Sequence, residues 1–357
     1  MNHRCVHRWV FPAWGQDLQL REDELPALQG REVRLRVTHC GLCHSDLHIQ
    51  AGGFDLGGGK LSSLERSAGV KLPVTLGHEI SGEVLELGPD AESLELGERV
   101  VVYPWIGCGS CATCQRGDDH LCVRGARNLG LQQPGGFADQ VVVPHDRYVV
   151  PIGPLDPARA ATYACAGITA FSAMRKLDPL GADDHVAIIG CGGVGMTALA
   201  LYATLSSARI VAIDPDPAKR EAALALGATL AFDPGVADAA RVIAKACAHN
   251  VAAVVDFVGS ESTSALAVGL VRRAGQVVIV GLFGGEFRLP LPMFALRSLR
   301  FTGSYVGSLP DLRELVALAQ RTPLPQPPLA LRPLNEVNQA LQDLANGRVA
   351  GRQVLLP

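Results

Sequence analysis

Four cysteines, Cys108, Cys111, Cys114 and Cys122, stand in the segment CGSCATCQRGDDHLC with the spacing C-x2-C-x2-C-x7-C. Thiolates this close along the chain can fold back onto one ion. A tetrahedral Zn²⁺ with four sulfur ligands is a closed site that holds structure and leaves no position for a substrate. Chemistry on a substrate must then come from elsewhere, and three distant segments offer an open set: Cys43 in CHSDLH, His78 beside Glu79 in GHE, and Cys165 in YACAGIT. A zinc with three protein ligands keeps a place for an alcohol oxygen and acidifies its hydroxyl. Ser45 and His48 offer a hydroxyl and an imidazole for moving a proton outward, and Asp46 is placed to orient a ligand from behind.

Taken singly, each of these residues is as ordinary as its neighbours. Cys40 and Cys191 read as buried thiols. His3, His7, His39, His120, His145, His185 and His249 read as surface or satisfied core imidazoles, with His120 and Cys5 the exceptions closest to other cysteines. Cys40 and Cys43 also make a C-x2-C, but no matching pair remains to close a second four-sulfur site.

A redox cofactor has its own signature. Gly190-Cys-Gly192-Gly193-Val194-Gly195 follows the apolar run VAIIG and opens a helical pattern, the context in which G-x-G-x-x-G lets the backbone approach a pyrophosphate at a helix N-terminus. The next apolar run, RIVAID, ends at Asp214, nineteen residues after Gly195. A carboxylate there accepts both ribose hydroxyls of NAD and repels the 2′-phosphate of NADP. The competing reading makes it a helix cap before Pro217. Lys219 and Arg220, further on, suit an NADP phosphate.

These residues need two kinds of scaffold. REVRLRVT, ISGEVLELG, GERVVVYPW and GGFADQVVVP alternate or run short and apolar between Gly and Pro, which is β texture with irregular loops and predicts that Cys40–His48 lies in a loop. The Gly- and Ser-rich stretch 51–71 reads as a surface excursion with a short helical turn at the mouth of a cleft. After Asp183, apolar strands HVAIIG, ARIVAID, VAAVVDF and GQVVIVG alternate with helices and predict a parallel sheet covered on both faces. Leu312–Ala319 and Leu334–Ala345 read as amphipathic helices, and GRQVLLP as a last strand returning to the first domain.

With 357 residues, 48% of them apolar, the chain is long enough for two cored domains. Thirty-two Lys and Arg against 35 Asp and Glu give a net charge of −3 and no basic block, which argues against nucleic acid. The first residues lack a signal-peptide run and no stretch offers a membrane span. Ten cysteines, four of them in one knuckle, suit a reducing compartment, so a cytoplasmic protein is expected.

The pieces GLCHSDLH, LGHEISGEV, GCGSCATCQRGDDHLC, GGFADQVVVP, YACAGITAFSA, GCGGVG with Asp214, and GRQVLLP, in this order, resemble those of the zinc-dependent medium-chain alcohol dehydrogenases over essentially the whole chain. The resemblance implies an α/β protein with a GroES-like, mostly β catalytic domain built from residues 1–163 and 306–357, and a Rossmann NAD-binding domain at 164–305. It implies a catalytic zinc on Cys43, His78 and Cys165 with Glu79 behind it, a structural zinc on Cys108, Cys111, Cys114 and Cys122, and hence two Zn²⁺ per chain. Ser45 would relay the alcohol proton through the cofactor ribose to His48, and Asp46 would support His78. Thr169 and Val194 would pack on the nicotinamide, with His44 and Arg352 at the pyrophosphate. The terse length resembles the microbial tetrameric branch, so a homotetramer or at least a dimer is expected. Extra residues between Gly52 and Lys71 fall at the substrate entrance.

The substrate follows less directly. Trp105 in YPWIGC stands equally as a pocket wall or a domain-packing residue, and Leu282 and Phe283 are further pocket candidates. An apolar pocket would favour hydrophobic, aromatic or allylic primary or secondary alcohols and their aldehydes or ketones. The alternatives are a polyol dehydrogenase of the same superfamily, or a catalytically silent NAD-binding structural or sensor protein.

Overall fold

Strand Val33–Leu42, within the predicted REVRLRVT stretch and beyond it, is the spine of the catalytic half. A computed structural model describes residues 5–357; His3 lies outside the described residues. On one side Val33–Leu42 pairs antiparallel with Glu79–Leu87, and on the other with Arg352–Leu356, so residues from both ends of the sequence share one seven-stranded sheet. The register sets Gly41 opposite Glu79 and Leu355 opposite Cys40, so the CHSDLH and GHE segments leave adjacent strands at the same sheet end. The alternation seen in the sequence is the mark of this half-covered sheet, whose inward Val33, Leu35 and Val37 are buried.

The second half is a six-stranded parallel sheet in the order Leu230–Phe232, Arg209–Ile213, His185–Ile189, Val251–Asp256, Gln276–Ile279 and Arg300–Gly303. The first strand in sequence, His185–Ile189, is central, and the order reverses beside it. That topological switch point is where open α/β sheets leave a crevice for ligands. His185–Ile189, Arg209–Ile213 and Val251–Asp256 are almost wholly buried, which is why they read as continuous apolar runs. The fold is thus α/β, a mostly β GroES-like part beside a Rossmann sheet.

Several expectations change. Residues 44–50 form a helix, His44–Gln50, and only Cys43 precedes it as N-cap. Asp46 makes the difference: its carboxylate accepts from the Cys43 backbone N–H at 2.9 Å, closing a capping box that a loop reading overlooks. The 51–71 excursion holds the expected turn, Leu64–Ala68, together with a small hairpin, Gly53–Asp55 against Leu61–Ser63. The strand pair Cys5–Phe11 and Gln19–Glu24 and the strands Leu230–Phe232, Arg300–Gly303 and Leu329–Pro333 carried no distinct sequence signal. Apart from Cys5–Phe11, they are short or largely exposed, so burial does not stamp a pattern on them. The two late helices span Leu309–Arg321 and Val337–Ala345, and Arg352–Leu356 is the last strand.

Candidate active site and metal centres

The two sheets meet around a cavity of about 650 Å³ lined by Cys43, Ser45, His48, His78, Trp105, Cys165, Thr169 and Val194. Three elements deliver the metal-type donors. Cys43 caps helix His44–Gln50, His78 ends the loop before strand Glu79–Leu87, and Cys165 lies in a π-helical turn, Tyr163–Gly167, between two α-helical segments. A wide turn of this kind interrupts regular packing and aims a side chain sideways, a common device at functional sites.

Donor atoms of Cys43, His78, Glu79 and Cys165 all lie within 4.8 Å of one another and all four residues are buried. The Cys43 and Cys165 sulfurs are 4.0 Å apart, twice a disulfide length and close to the edge of about 3.8 Å that tetrahedral zinc with Zn–S bonds of about 2.3 Å requires. Asp46, fully buried, holds His78 from behind, Oδ1 to Nδ1 at 3.4 Å, while its other oxygen secures the Cys43 backbone. The opposite imidazole nitrogen, Nε2 of His78, is buried without a hydrogen-bond partner. An orphaned buried nitrogen facing two sulfurs costs free energy unless something binds there, so this trio fits a divalent metal.

Electrostatics agree with that reading. The S–H of one thiol stabilises the other's thiolate, pushing Cys43 down and Cys165 up. Burial alone would depress the His78 imidazole, but Asp46 and Cys43 beside it push it up. Burial also lifts Glu79 to about 7 despite the guanidinium of Arg352, with which it is paired. Glu79 Oε1 further accepts from the Ala166 N–H at 3.3 Å, tying the GHE segment to the turn that carries Cys165.

The glycine motif sits where the sheet order reverses. Gly190 has φ 87°, a conformation that disfavours side chains, and a Cβ on Gly195 would meet the Gly190 carbonyl oxygen at 1.9 Å, so helix Gly193–Leu205 packs directly on the strand end. Beside Gly192, in contrast, there is open space, the approach a pyrophosphate needs. Arg352 lies against Gly193 while pairing with Glu79, which joins the turn to the metal-type cluster. Asp214 is not the helix cap; Asp216 is, accepting from the Ala218 N–H at 2.9 Å. Instead Asp214 accepts from the Cys191 N–H at 2.8 Å and the Asp216 N–H at 2.9 Å, which fixes its carboxylate beside the turn. Arg220 is engaged with the carbonyls of Asp214 and Pro215, and Lys219 faces a small depression with Met196, Asp216 and Gly351.

The second cluster is the knuckle. Its sulfurs approach at 3.4 Å (Cys111–Cys114), 3.9 Å (Cys108–Cys114) and 3.9 Å (Cys111–Cys122), and no disulfide forms. Backbone N–H groups of Cys108, Cys111 and Cys114 aim at sulfurs of the set, as they do in loops that bind thiolates. The Ser110 hydroxyl and local N–H groups lower Cys108 to about 5, and burial raises Cys114 to about 12. Four sulfurs at tetrahedral spacing fit one zinc and leave it no open position.

Trp105 stands at the boundary between the cavity and the packed interior. It lines the cavity and its ring lies 5.4 Å from that of His78, while its indole N–H donates to the Ala164 carbonyl at 3.0 Å. Leu282 lines the cavity; Phe283 does not, and is 69% exposed, because the chain turns outward after strand Gln276–Ile279. Ser304 and Tyr305 also line the cavity with no motif around them, and so does His120, which the sequence places in the knuckle and not at a pocket.

Residues 29–154 match the family model described as "Alcohol dehydrogenase GroES-like domain", and residues 193–321 that described as "Zinc-binding dehydrogenase". The chain belongs to the zinc-dependent medium-chain alcohol dehydrogenase family. It is therefore an oxidoreductase. An NAD-dependent alcohol dehydrogenase of Sulfurisphaera tokodaii is 35% identical over 347 residues, covering 96% of this chain and 97% of that protein. One from Saccharolobus solfataricus is likewise 35% identical over 347 residues, with coverage of 96% and 97%. The alcohol dehydrogenase of the archaeon Aeropyrum pernix superposes with a TM-score of 0.88 at 32% identity, over 98% of this chain and 100% of that one. Among the described residues no helix is long and apolar enough to cross a membrane.

Proposed function

We propose that this dehydrogenase uses NAD and zinc to interconvert hydrophobic primary or secondary alcohols with aldehydes or ketones. One observation carries the reading: Cys43, His78 and Cys165 converge on the wall of the same cavity that Thr169 and Val194 line from the glycine-turn side. Zinc on that trio would supply the Lewis acidity that makes an alcohol hydroxyl acidic, and NAD on the glycine turn would supply the hydride acceptor.

The chain's own residues do the rest. Asp46 holds His78 and Cys43 in position from a fully buried site. The Ser45 hydroxyl takes up the alcohol proton as it gives its own proton onward, toward His48, three positions along the same helix and on the same cavity, whose neutral imidazole receives it and releases it to solvent. Burial keeps His48 below its usual range, so its imidazole is neutral near pH 7 and can take a proton. Thr169 and Val194 orient the flat ring of the nicotinamide, while His44 and Arg352 face the pyrophosphate. Asp214 selects NAD by accepting the ribose hydroxyls, with Lys219 at the ribose's outer side. The four knuckle sulfurs hold a second zinc, two per chain.

Ile49, Phe54, Leu64, Leu129, Leu131 and Leu282 make much of the cavity wall. A polyol would set several hydroxyls against this apolar stretch and meet partners only at scattered polar groups such as His120, Asn128 and Ser304, so a polyol dehydrogenase is the second reading. The donor set and open cavity disfavour a silent NAD sensor. The test is kcat/KM for benzyl alcohol, a linear primary alcohol and sorbitol with NAD. Preference for sorbitol, or no turnover of any alcohol by protein carrying two zinc ions, overturns the proposal.

We take 1–163 with 306–357 as the catalytic domain and 164–305 as the NAD domain, supported by the pairing of Arg352–Leu356 with Val33–Leu42. A homotetramer or dimer is supported by the exposed Leu291, Leu296 and Phe283 beside the terminal strand Arg300–Gly303. Ten unpaired thiols suit the reducing cytoplasm.

A further inference from the structure

Strands Cys5–Phe11 and Gln19–Glu24 pair antiparallel with His7 directly opposite Glu22. Side chains two apart on a strand share a face, so Cys5 stands on the same face as His7 and diagonal to Glu22. A thiol, an imidazole and a carboxylate are thus collected at one surface point, far in sequence from either cluster described above. We propose that Cys5, His7 and Glu22 form a further metal site, open to solvent, that takes a zinc-like divalent cation.

The distances are those of a site before the ion enters. Cys5 Sγ lies 3.2 Å from Glu22 Oε1, His7 Nε2 lies 3.6 Å from Glu22 Oε2, and donors of all three fall within 4.8 Å of one another. Tetrahedral coordination, with sulfur at about 2.3 Å and nitrogen or oxygen at about 2.0–2.1 Å, spaces such donors roughly 3.3–3.5 Å apart. Little movement is needed.

A second observation concerns the histidine. Its other nitrogen, Nδ1, bonds Asp139 Oδ2 at 3.0 Å, and Asp139 Oδ1 accepts from the His7 backbone N–H at 3.0 Å. Asp139 therefore fixes the ring and its tautomer, leaving the Nε2 lone pair aimed at Glu22. Carboxylates hold metal-binding imidazoles in this way, and Asp46 stands behind His78 in the cavity with Oδ1 3.4 Å from Nδ1.

Chemistry and charge select the ion. A thiolate and a carboxylate carry two negative charges that balance a 2+ ion, and the imidazole adds a neutral donor; the Cys5 thiol proton leaves to solvent as the metal binds. Sulfur and nitrogen donors favour zinc and its neighbours over magnesium or calcium. With three protein donors and side chains of His7 and Glu22 54% and 69% exposed, a fourth position is left to water. The ion would pin the hairpin to Asp139 and leave the reaction untouched.

The experiment is equilibrium dialysis of the full-length protein against zinc buffered in the micromolar range, with metal counted by mass spectrometry. Wild type is expected to hold one equivalent more than Cys5→Ser and His7→Ala, with kcat unchanged in both. Asp139→Asn is expected to weaken that equivalent about 10–100-fold without abolishing it. Glu22→Gln, at an exposed position, is the variant to use if the cysteine or histidine change unfolds the hairpin, and it too is expected to lose the extra equivalent. Equal metal content in wild type and variants overturns the proposal, whatever the total; a total below two ions bears instead on the two-zinc reading above.

Discussion

The knuckle and the cavity trio both gather sulfur, yet they are built in opposite ways. In the knuckle, Cys108 and Cys122 are 14 positions apart and backbone N–H groups of the same loop attend the sulfurs. In the cavity, Cys43 and Cys165 are 122 positions apart, every donor is buried, and the site exists only because a helix cap, the loop before a strand and a π-helical turn converge. A local site can be closed by its own loop. A site assembled from distant strands has a cavity beside it, and the cavity is what a substrate needs. The difference teaches that density of ligands in the sequence marks a brace, and dispersion marks the place of reaction.

Breaking the two sites separately tests this. Cys43→Ala or His78→Ala is expected to cut kcat/KM for alcohols by roughly 10³-fold or more, the several kcal/mol that a Lewis acid contributes, with NAD affinity by fluorescence titration unchanged. A zinc-free Cys43→Ala protein with full activity would erase the contrast. Cys111→Ser should act the other way. Structural zinc binding contributes directly to folding, so thermal unfolding should show a loss of several kcal/mol while kcat per folded molecule holds. If kcat falls first, the knuckle is more than a brace.

Finer changes sharpen the picture. Asp46→Asn keeps all three donors and loosens their support, so zinc retention against a chelator and activity should both fall about 10–100-fold. The smallest effect is expected at Asp146, whose buried carboxylate binds Arg31 at 2.8 Å and the Ser93 hydroxyl at 2.8 Å, next to Arg147, which holds Asp119 of the knuckle lobe at 2.8 Å. Burial would raise this carboxyl, but Arg31, Ser93 and the N–H groups of Glu92 and Ser93 hold it well below the usual range. Its contribution is therefore complete above the unfolded value near pH 4 and is lost as pH falls through the depressed folded value. Asp146→Asn should cost about 1.5 kcal/mol at pH 7 by urea unfolding, and the gap from wild type should narrow only below about pH 4. A gap that narrows on going from pH 5 to pH 8 would contradict that assignment.

Much of this was legible in the residues. Buried parallel strands announce themselves as apolar runs, and the glycine turn and the knuckle are local, so their spacing is itself the signal. Cys43, His78 and Cys165 stand out as a set by residue type and motif, but nothing in their spacing shows the cavity they share. Ser304 and Tyr305 reach it from beyond a strand too exposed to stamp a pattern. The helix at His44–Gln50 was hidden for another reason: its start depends on Asp46 capping backward, a tertiary commitment of a residue that alone favours turns. Phe283 looked like a pocket residue because it follows Leu282; direction, not type, excludes it.

The buried pair between Arg352 and Glu79 spans 273 positions. During synthesis the chain makes Cys43, His78 and Cys165 long before Arg352, and Glu79 must wait without the guanidinium that pairs with it. Domains generally fold as they are completed, from the N-terminal side first. Here that order leaves the reaction centre unfinished until the strand Arg352–Leu356 slides in beside Val33–Leu42. A nascent protein stopped before that strand therefore carries every zinc donor but lacks the guanidinium that pairs with Glu79 behind them.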